Sequence, residues 1–227
     1  MKIPLTKYGW PQVFVFPAII LAAMAAVSVF ASRVLPEWGF YSILGVLAIF
    51  LIWTLTFFRD PPRRCTIDEK NLVSPADGKI TAIEMIEDDA FIGGEAIRVS
   101  IFLSIFNAHI NRSPCAAHIV DIQYKRGKKR NAAMADSART NESNELRMSR
   151  LDEPQDKFVV RQISGAIARR IVCKAKKGQK LAGGEKFGMI KFGSRTELCF
   201  PRRDDVKILV KVGERVKAGV SILLRYK

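Results

Sequence analysis

Two uncharged, apolar stretches near the start of the chain constrain its fold more than any other feature. Residues 13–32 and 38–58 contain no charged side chain, and each is about as long as the ~20 residues that an α-helix needs to cross a bilayer. The short segment between them contains Pro36, which stops a helix. A secretory signal peptide is the alternative for the first stretch, but its apolar core of roughly 7–15 residues is shorter, and here a second spanning run follows at once. The sequence therefore predicts a two-helix transmembrane hairpin within residues 1–58.

The basic residues that flank this hairpin indicate its orientation. Two lysines precede the first stretch and three arginines closely follow the second, whereas the connecting loop carries one arginine and one glutamate. Basic residues stay preferentially on the cytoplasmic side of a membrane. We therefore predict a protein of the cell membrane whose remaining domain, residues 59–227, lies in the cytoplasm.

The charge of this second domain points to its partner. The chain has a formal net charge of +15, of which the first 58 residues supply +2, so that +13 remains for the rest. Anionic headgroups attract such a domain by about 1 kcal/mol for each well-placed lysine or arginine. The sequence contains no nucleic-acid-binding motif, so the expected partner is an anionic membrane surface and not a nucleic acid.

Cysteine and histidine are too few and too scattered to predict a metal site. The four cysteines are Cys65, Cys115, Cys173 and Cys199, and no Cys-x-x-Cys pair occurs among them. The chain has only two histidines, which makes a zinc site improbable. A cytoplasmic domain also disfavours disulfides. We predict no metal, and four thiols that serve as small core residues.

Beyond Pro61 and Pro62, which cannot continue a helix, the pattern is mostly strand-like. Short β-branched runs, separated by turn residues, predict strands at 72–73, 79–86, 96–106 and 119–124. Residues 127–155 are predicted as a long polar loop with a short helix at 144–148. Strand character resumes over 158–174, with Gly165 as the start of a bulge or a helix.

A short internal repeat supports a β-rich fold. Residues 178–184 and 213–219 share the pattern Gly-x-x-(Leu/Val)-x-x-Gly. The glycines suit hammerhead-like turns, and Leu181 and Val216 would plug the core. The predicted fold is a mostly β catalytic domain, a compact barrel or sandwich with few short helices, preceded by the transmembrane hairpin.

Three segments carry residue types that a reactive site needs. A Ser-Pro-Ala-Asp-Gly turn at 74–78 presents Asp77, and an apolar run presents His109, whose side-chain type has an ordinary pKa close to neutral. In the step Gly193-Ser194, a hydroxyl directly follows a carbonyl that glycine does not shield. Together they would complete a Ser-His-Asp set. Taken singly, each segment is also consistent with a surface turn or a core histidine.

Five ordered motifs give the chain a family resemblance. They are Phe-Phe-Arg-Asp-Pro-Pro-Arg at 57–63, Ser-Pro-Ala-Asp-Gly at 74–78, Phe-Leu-Ser…His-Ile-Asn-Arg-Ser-Pro at 102–114, Arg-Gln-Ile-Ser-Gly…Ala-Arg-Arg-Ile at 161–171 and Phe-Gly-Met-Ile-Lys-Phe-Gly-Ser-Arg at 187–195. With these motifs in this order, the chain resembles the short, membrane-tethered form of phosphatidylserine decarboxylase, and the resemblance covers essentially its whole length.

The resemblance implies a self-processing zymogen in lipid biosynthesis. Ser194 would attack the preceding carbonyl, so that cleavage between Gly193 and Ser194 gives a β chain (1–193) and an α chain (194–227). These would stay together as a heterodimer, with higher assembly left open. Ser194 would become a covalent pyruvoyl cofactor that forms a Schiff base with phosphatidylserine and accepts the electron pair released on decarboxylation to phosphatidylethanolamine. Asp77 and His109 map onto positions implicated in self-cleavage, and His109 also in proton transfer during turnover.

Two arginines depart from the longer members of that family. Arg195 replaces a threonine after the Gly-Ser step, and Arg112 stands where the longer members have a second histidine. Because arginine suits bidentate oxyanion binding, we predict that one of them contacts the lipid phosphate or carboxylate.

Other functions stay open at this point. An archaetidylserine-type lipid could be the substrate. The chain could instead be a membrane-tethered carrier domain of the biotinyl or lipoyl kind, modified on Lys191. A serine hydrolase is a further alternative, although the Gly-x-Ser-x-Gly elbow is missing from the sequence.

Overall fold

The computed structural model describes residues 4–128, 140–165, 170–191 and 193–227. Contacts divide the chain into two compact units, Met1–Pro62 and Arg63–Lys227.

The first unit is built on two apolar helices. Helix α1 spans Gln12–Phe30 and helix α2 spans Glu37–Phe57, joined through a short 3₁₀ turn at Ala31–Arg33. With 19 and 21 residues, both are long and apolar enough to cross a membrane. The two helices pack against each other, yet most of their large apolar side chains are exposed, as expected for helices that face lipid. The prediction of two such helices at the N-terminus is confirmed.

The described part of the second unit is almost entirely β-structure. Its strands are β1 (Asn71–Val73), β2 (Gly78–Asp89), β3 (Gly94–Leu103), β4 (Ile110–Arg112), β5 (Ala117–Lys125), β6 (Ser143–Arg150), β7 (Lys157–Ser164), β8 (Arg170–Cys173), β9 (Lys180–Leu181), β10 (Lys186–Lys191), β11 (Ser194–Pro201), β12 (Val206–Ile208), β13 (Arg215–Val216) and β14 (Ile222–Tyr226).

These strands form three sheets in which the neighbours are antiparallel. The largest sheet has the order β13-β2-β3-β11-β7-β6-β5-β9, and the smaller ones are β4-β10-β8 and β1-β14-β12. Strands β10 and β11 are consecutive in the chain but belong to different sheets. The predicted mostly β fold is confirmed.

Strand alternation places the hydrophobic core on one face of the large sheet. On β11, Leu198 and Phe200 point inward, and on the neighbouring β7 Phe158 and Val160 do the same. All four are almost fully buried. Each such burial contributes about 1.5–3 kcal/mol relative to an exposed side chain. This packing fixes β11 between β3 and β7.

The predicted helix at 144–148 is wrong, because this segment lies within strand β6. Leu146 and Met148 alternate with Glu145 and Arg147, and the apolar pair is fully buried. Strand β6 pairs with β5 on one side and β7 on the other. Period-two alternation buries one face of such a strand, whereas a helix would scatter these residues around its axis.

Two further predictions, the loop at 127–155 and the bulge or helix that starts at Gly165, fall partly outside the described residues. The predicted loop overlaps residues 129–139, and the predicted bulge or helix after Gly165 falls on residues 166–169.

The internal repeat forms two equivalent turns. The four glycines that define the pattern have φ between 73° and 94°, a region that favours glycine: Gly178, Gly184, Gly213 and Gly219. Leu181 and Val216 are buried in the core, as predicted. The Gly178 amide donates to Ile119 and the Gly213 amide donates to Ile80, each over 2.8 Å.

This equivalence extends to the two Ser-Pro turns. The Ser74 and Ser113 hydroxyls each donate over 2.7 Å to the carbonyl two residues further on. Their own carbonyls each accept a 2.9 Å hydrogen bond from the last glycine of one repeat, Gly219 and Gly184 respectively. The two turns differ in their side chains, and the first carries Asp77 where the second has Ala116. The repeated scaffold therefore holds a carboxylate in one half only.

Candidate active site

The Gly193-Ser194 step lies where the chain passes from one sheet to another. Strand β10 ends at Lys191 in a small sheet, and β11 begins at Ser194 in the large sheet. Gly193 has φ +61°, in the left-handed region that a residue with a Cβ seldom adopts. A glycine is thus favoured at the position whose carbonyl precedes the serine.

The Ser194 side chain is fully buried, and its hydroxyl has no hydrogen-bond partner among the described residues. Burying an unsatisfied hydroxyl costs about 1–3 kcal/mol, so such a group is seldom retained for structure alone. Strain and unsatisfied polar atoms concentrate at functional sites. A left-handed backbone at Gly193 and an unsatisfied hydroxyl at Ser194 occur together at this step.

A second serine lies directly across from the first. Antiparallel pairing aligns Ser194 with Ser164 of β7 on one side and with Leu103 of β3 on the other. Cross-strand neighbours have Cβ atoms about 4.5–5.5 Å apart. The Ser164 hydroxyl is also fully buried without a partner in the described part of the chain. Ser164 was not predicted from the sequence, although its polar side chain at an inward position of β7 was a usable signal.

His109 lies beside the strand that leads into Gly193. Its carbonyl accepts a 3.2 Å hydrogen bond from the Ile190 amide, and its side chain is fully buried. The ring atom Nδ1 lies 2.9 Å from the Asn107 carbonyl oxygen. Because a carbonyl can only accept, Nδ1 carries the proton, and in the neutral ring Nε2 is then the basic nitrogen.

A hydrogen bond from Asn111 connects the segment that contains His109 to the strand that begins at Ser194. The Asn111 amide nitrogen donates to the Thr196 hydroxyl over 3.0 Å, which joins β4 to β11. His109 and Ser194 each stand two residues nearer to the Gly193 crossover on their respective segments. The backbones of His109 and Ser194 therefore lie at the ends of β4 and β11 that are nearer to the crossover.

A chain of buried amides lines the site. Asn144 donates to the Gln162 oxygen over 3.0 Å, and Gln162 donates to the Asn111 oxygen over 2.9 Å. Asn111 reaches the Pro75 carbonyl as well, over 3.4 Å. Each amide is oriented by the next, so the network fixes the wall behind the serines. These amides were not predicted, because the contacts join segments far apart in sequence.

The inner face of the large sheet therefore has two ends of different character. On β11, Leu198 and Phe200 pack in the core, whereas Ser194 and Thr196 continue the same face as polar groups. On β7, Ser164 continues the face in the same way. The fold thus forms a buried polar end directly against an apolar core.

Asp77 is held by groups outside the predicted Ser-His-Asp set. One carboxylate oxygen lies 2.6 Å from an Arg63 guanidinium nitrogen, and the other accepts a 2.8 Å hydrogen bond from the Ala218 amide. In the described structure no hydrogen bond joins Asp77 to His109 or Ser194. The role of Asp77 in self-cleavage stays a prediction.

The two arginines, one of which was predicted to contact the lipid, are both buried. Arg112 donates to the Gly184 carbonyl over 2.9 Å. Arg195 lies 3.6 Å from a carboxylate oxygen of Glu197, and alternation along β11 places it on the face opposite to Ser194. Lipid binding by either side chain stays a prediction.

Lys191 does not lie at an exposed hairpin tip, as a carrier lysine would. It ends strand β10 with only 4% of its surface exposed. Burial lowers the pKa of Lys191, and the neighbouring positive charge of Arg170 adds to this effect. The placement argues against the carrier-domain alternative.

Taken together, fold and site define a class: a mostly β protein with an apolar helical hairpin, whose candidate reactive group is a buried serine after a left-handed glycine. Comparison with known proteins identifies the family within this class. A family model described as phosphatidylserine decarboxylase matches residues 50–224. The chain belongs to the phosphatidylserine decarboxylase family.

Relatives named phosphatidylserine decarboxylase proenzyme match almost the whole chain. The protein of Desulfotalea psychrophila is 42% identical over 222 residues, which is 98% of this chain and 96% of the relative. That of Chlorobium phaeobacteroides is 39% identical over 221 residues, or 97% of this chain and 99% of the relative. That of Rhodopirellula baltica is 36% identical over 227 residues, or 100% and 90%.

Proposed function

We propose that this chain is a proenzyme that cleaves itself between Gly193 and Ser194 and then decarboxylates phosphatidylserine to phosphatidylethanolamine. The family supports the reaction and its substrate. The observation that carries the assignment to this step is the buried, unpartnered Ser194 hydroxyl directly after a glycine at φ +61°. An archaetidylserine-type lipid has the same reacting headgroup and stays an alternative substrate.

The first chemical step is an acyl shift within the chain. The Ser194 Oγ attacks the Gly193 carbonyl carbon, the new C–O bond forms, and the C–N bond breaks. The hydroxyl proton passes to the departing nitrogen, which becomes the amino group of residue 194. His109 Nε2 is the expected carrier of this proton, because the Asn107 carbonyl fixes the ring through Nδ1.

The second step cuts the chain. Residue 194 loses its Cα proton while the Cβ–Oγ bond breaks, so that Gly193 leaves as a carboxylate and residue 194 becomes dehydroalanine. Water then adds at Cα, and the nitrogen departs as ammonia. Residue 194 would thereby end as a pyruvoyl group at the start of the α chain.

The residues around position 194 suit such a group. Its main chain would stay fixed between β3 and β7, and the adjoining hydroxyl of Ser164 is buried without a described partner. A pyruvoyl carbonyl supplies an electron sink for the pair that remains when a carboxylate leaves as CO₂. His109 would hold the proton at Nε2 that replaces the lost carboxylate. The amides of Asn111 and Gln162 would keep this wall rigid.

The proposal includes the placement of the enzyme. Residues 1–193 would form the β chain and 194–227 the α chain, with residues 1–58 anchoring the β chain in the cell membrane. Basic residues on the termini side of the hairpin support a cytoplasmic catalytic domain. Anionic lipid would be the surface on which it works.

Ser194→Ala tests the proposal. We expect a single uncut chain of 25.4 kDa without decarboxylase activity, because the attacking oxygen is gone. Denaturing mass spectrometry of the unsubstituted chain should show two fragments, the smaller lighter by one ammonia than a serine-ended peptide. Ser100→Ala is the matched control, since Ser100 is equally buried on the neighbouring strand β3. Normal cutting of Ser194→Ala would refute the assignment.

The proposal also includes a contact between Arg112 and the lipid, which has to be separated from a structural role. The Gly184 carbonyl already occupies one of its donors, so Arg112→Ala could act through the fold. A raised KM for short-chain phosphatidylserine at unchanged kcat and Tm would support a lipid contact. A lowered Tm with unchanged KM would assign Arg112 to the scaffold.

A further inference from the structure

Several loops meet at the end of the large sheet that contains Ser194. Ser194 pairs with Leu103 on one side and with Ser164 on the other, while Ser143 on the next strand pairs with Ile163, the residue before Ser164, and with Lys125. Four strand spacings of about 4.8 Å make this edge roughly 19 Å wide. The loop after β3, the Gly193 crossover and the chain after β5 therefore leave the sheet on the same side as the site.

Two aromatic side chains are exposed at this end. Phe106 has 70% of its surface exposed and belongs to the loop that connects Leu103 to His109. Tyr124 is the penultimate residue of β5 and is 57% exposed. Exposed apolar side chains of this size mark interaction surfaces, and aromatic rings are enriched where a protein meets a bilayer interface.

Exposed basic side chains lie on the segments at this end of the sheet. Arg126 and Lys128 follow Tyr124 and are exposed, and Arg170 is exposed at the start of β8, where it pairs with Lys191. Within the described residues of these loops no carboxylate is exposed. Glu142 is buried and accepts a 2.9 Å hydrogen bond from the Tyr124 hydroxyl. The described edge is therefore positively charged as well as aromatic.

We propose that this edge, the docking rim formed by Phe106, Tyr124, Arg126, Lys128 and Arg170, binds the surface of an anionic bilayer. Phe106 enters the boundary between headgroups and acyl chains, and the cations bind lipid phosphates. The inference rests on the proposed function, because a lipid substrate has to reach Ser194 from a membrane. The rim brings the headgroup layer to the buried site, so that the lipid need not leave the bilayer completely.

Substitution of Phe106 tests the apolar part of the docking rim. The full chain with Phe106→Ser is reconstituted into vesicles that contain phosphatidylserine, and its rate is compared with that on short-chain phosphatidylserine below the micellar concentration. We expect normal self-cleavage, a short-chain rate within about twofold of the unsubstituted enzyme, and a vesicle rate about tenfold lower, since 1.4 kcal/mol of lost insertion corresponds to a factor of ten. Phe106→Trp, which keeps an interfacial ring, should retain the vesicle rate.

Met85→Ser is the matched control. Met85 is 57% exposed and pairs with Ile97, six residues along β3 from Leu103. At about 3.4 Å per residue it lies roughly 20 Å from the docking rim. Both of its rates should stay unchanged.

Charge reversal tests the cationic part. Arg126→Glu with Lys128→Glu should lower the vesicle rate by about fivefold or more per charge, and added salt should narrow the difference from the unsubstituted enzyme. Lys180→Glu is the control, because Lys180 is exposed beside His118, seven residues along β5 from Lys125.

The outcomes separate this inference from the proposed function. If Phe106→Ser keeps its vesicle rate, or loses both rates equally, the docking rim is refuted while self-cleavage and decarboxylation stand. If the unsubstituted chain neither cuts itself nor decarboxylates short-chain phosphatidylserine, the proposed function fails instead. Equal effects of Lys180→Glu and the Arg126–Lys128 reversal would assign the effect to net charge and refute a local rim.

Discussion

The hydroxyls of Ser164 and Ser194 lie on neighbouring strands, both buried and both without a described partner. Native proteins leave few buried hydroxyls unsatisfied. Two of them opposite each other, beside a glycine at φ +61°, are the arrangement that the proposed reacting group at position 194 would need. At the scale of single residues, this pairing is the strongest local signal in the molecule.

Ser164→Ala should separate stability from chemistry. Removing an unsatisfied buried hydroxyl is expected to leave Tm unchanged or raise it slightly. If the hydroxyl assists at position 194, the time course of self-cleavage should slow by several fold, as measured on denaturing gels after synthesis of the chain. Ser100→Ala again serves as the control. Cutting at the normal rate would show that Ser164 only lines the site.

The cysteines predict a pattern of chemical modification. Burial raises the pKa of Cys115 and of Cys199 to about 12, each from an ordinary value near 9. At pH 8 both thiols are therefore protonated, and the thiolate is the form that alkylates. Iodoacetamide should modify Cys65, which is half-buried, well before these two, with peptide mass spectrometry as the readout. Rapid labelling of Cys199 in the native protein would contradict this burial.

Among the elements, strand β6 shows what a sequence pattern can and cannot predict. Its alternation of Leu146 and Met148 with charged residues is visible in the sequence, yet its polar composition favoured a loop with a short helix. Pairing on both sides decides in favour of a strand, because β5 and β7 complete its hydrogen bonds. The repeat glycines were predictable, since their turns are local.

Close packing between β8 and β10 gives a test at the same scale. A Cβ on Gly188 would lie 2.3 Å from the Val172 carbonyl oxygen, so Gly188→Ala must push the two strands apart. We expect a loss of about 2 kcal/mol or more, seen as a fall in Tm of about 4 °C or more. Gly93→Ala, at a positive φ but in open space, controls for backbone conformation alone. An equal fall in Tm for both variants would contradict the contact.

At the scale of the whole molecule, strand order explains how a cut chain could stay intact. Strand β11 would begin the α chain and is paired along its length with β3 and β7, both of which precede the cleavage site. Strands β13 and β14 pair in the same way with β2 and β1. A break at Gly193 therefore leaves the core and all of these ladders in place.

The two fragments should accordingly behave as one protein. In mild detergent we expect them to co-elute in size-exclusion chromatography and to unfold in a single transition. Only a denaturant should separate them, because the shared core would have to be exposed. Dissociation at neutral pH without denaturant would show that the interleaved strands do not hold the fragments together.

The sequence by itself determined the apolar hairpin, the main strands, the repeat turns and, through the order of its motifs, the Gly193-Ser194 step. These depend on local composition and spacing, which a chain carries in any conformation. Only the tertiary structure placed Ser164 opposite Ser194, joined Asn111 to Gln162, and gave the oxygens of Asp77 to Arg63 and Ala218. Alternation tells which side chains share a face of a strand, but pairing between distant strands decides which faces meet.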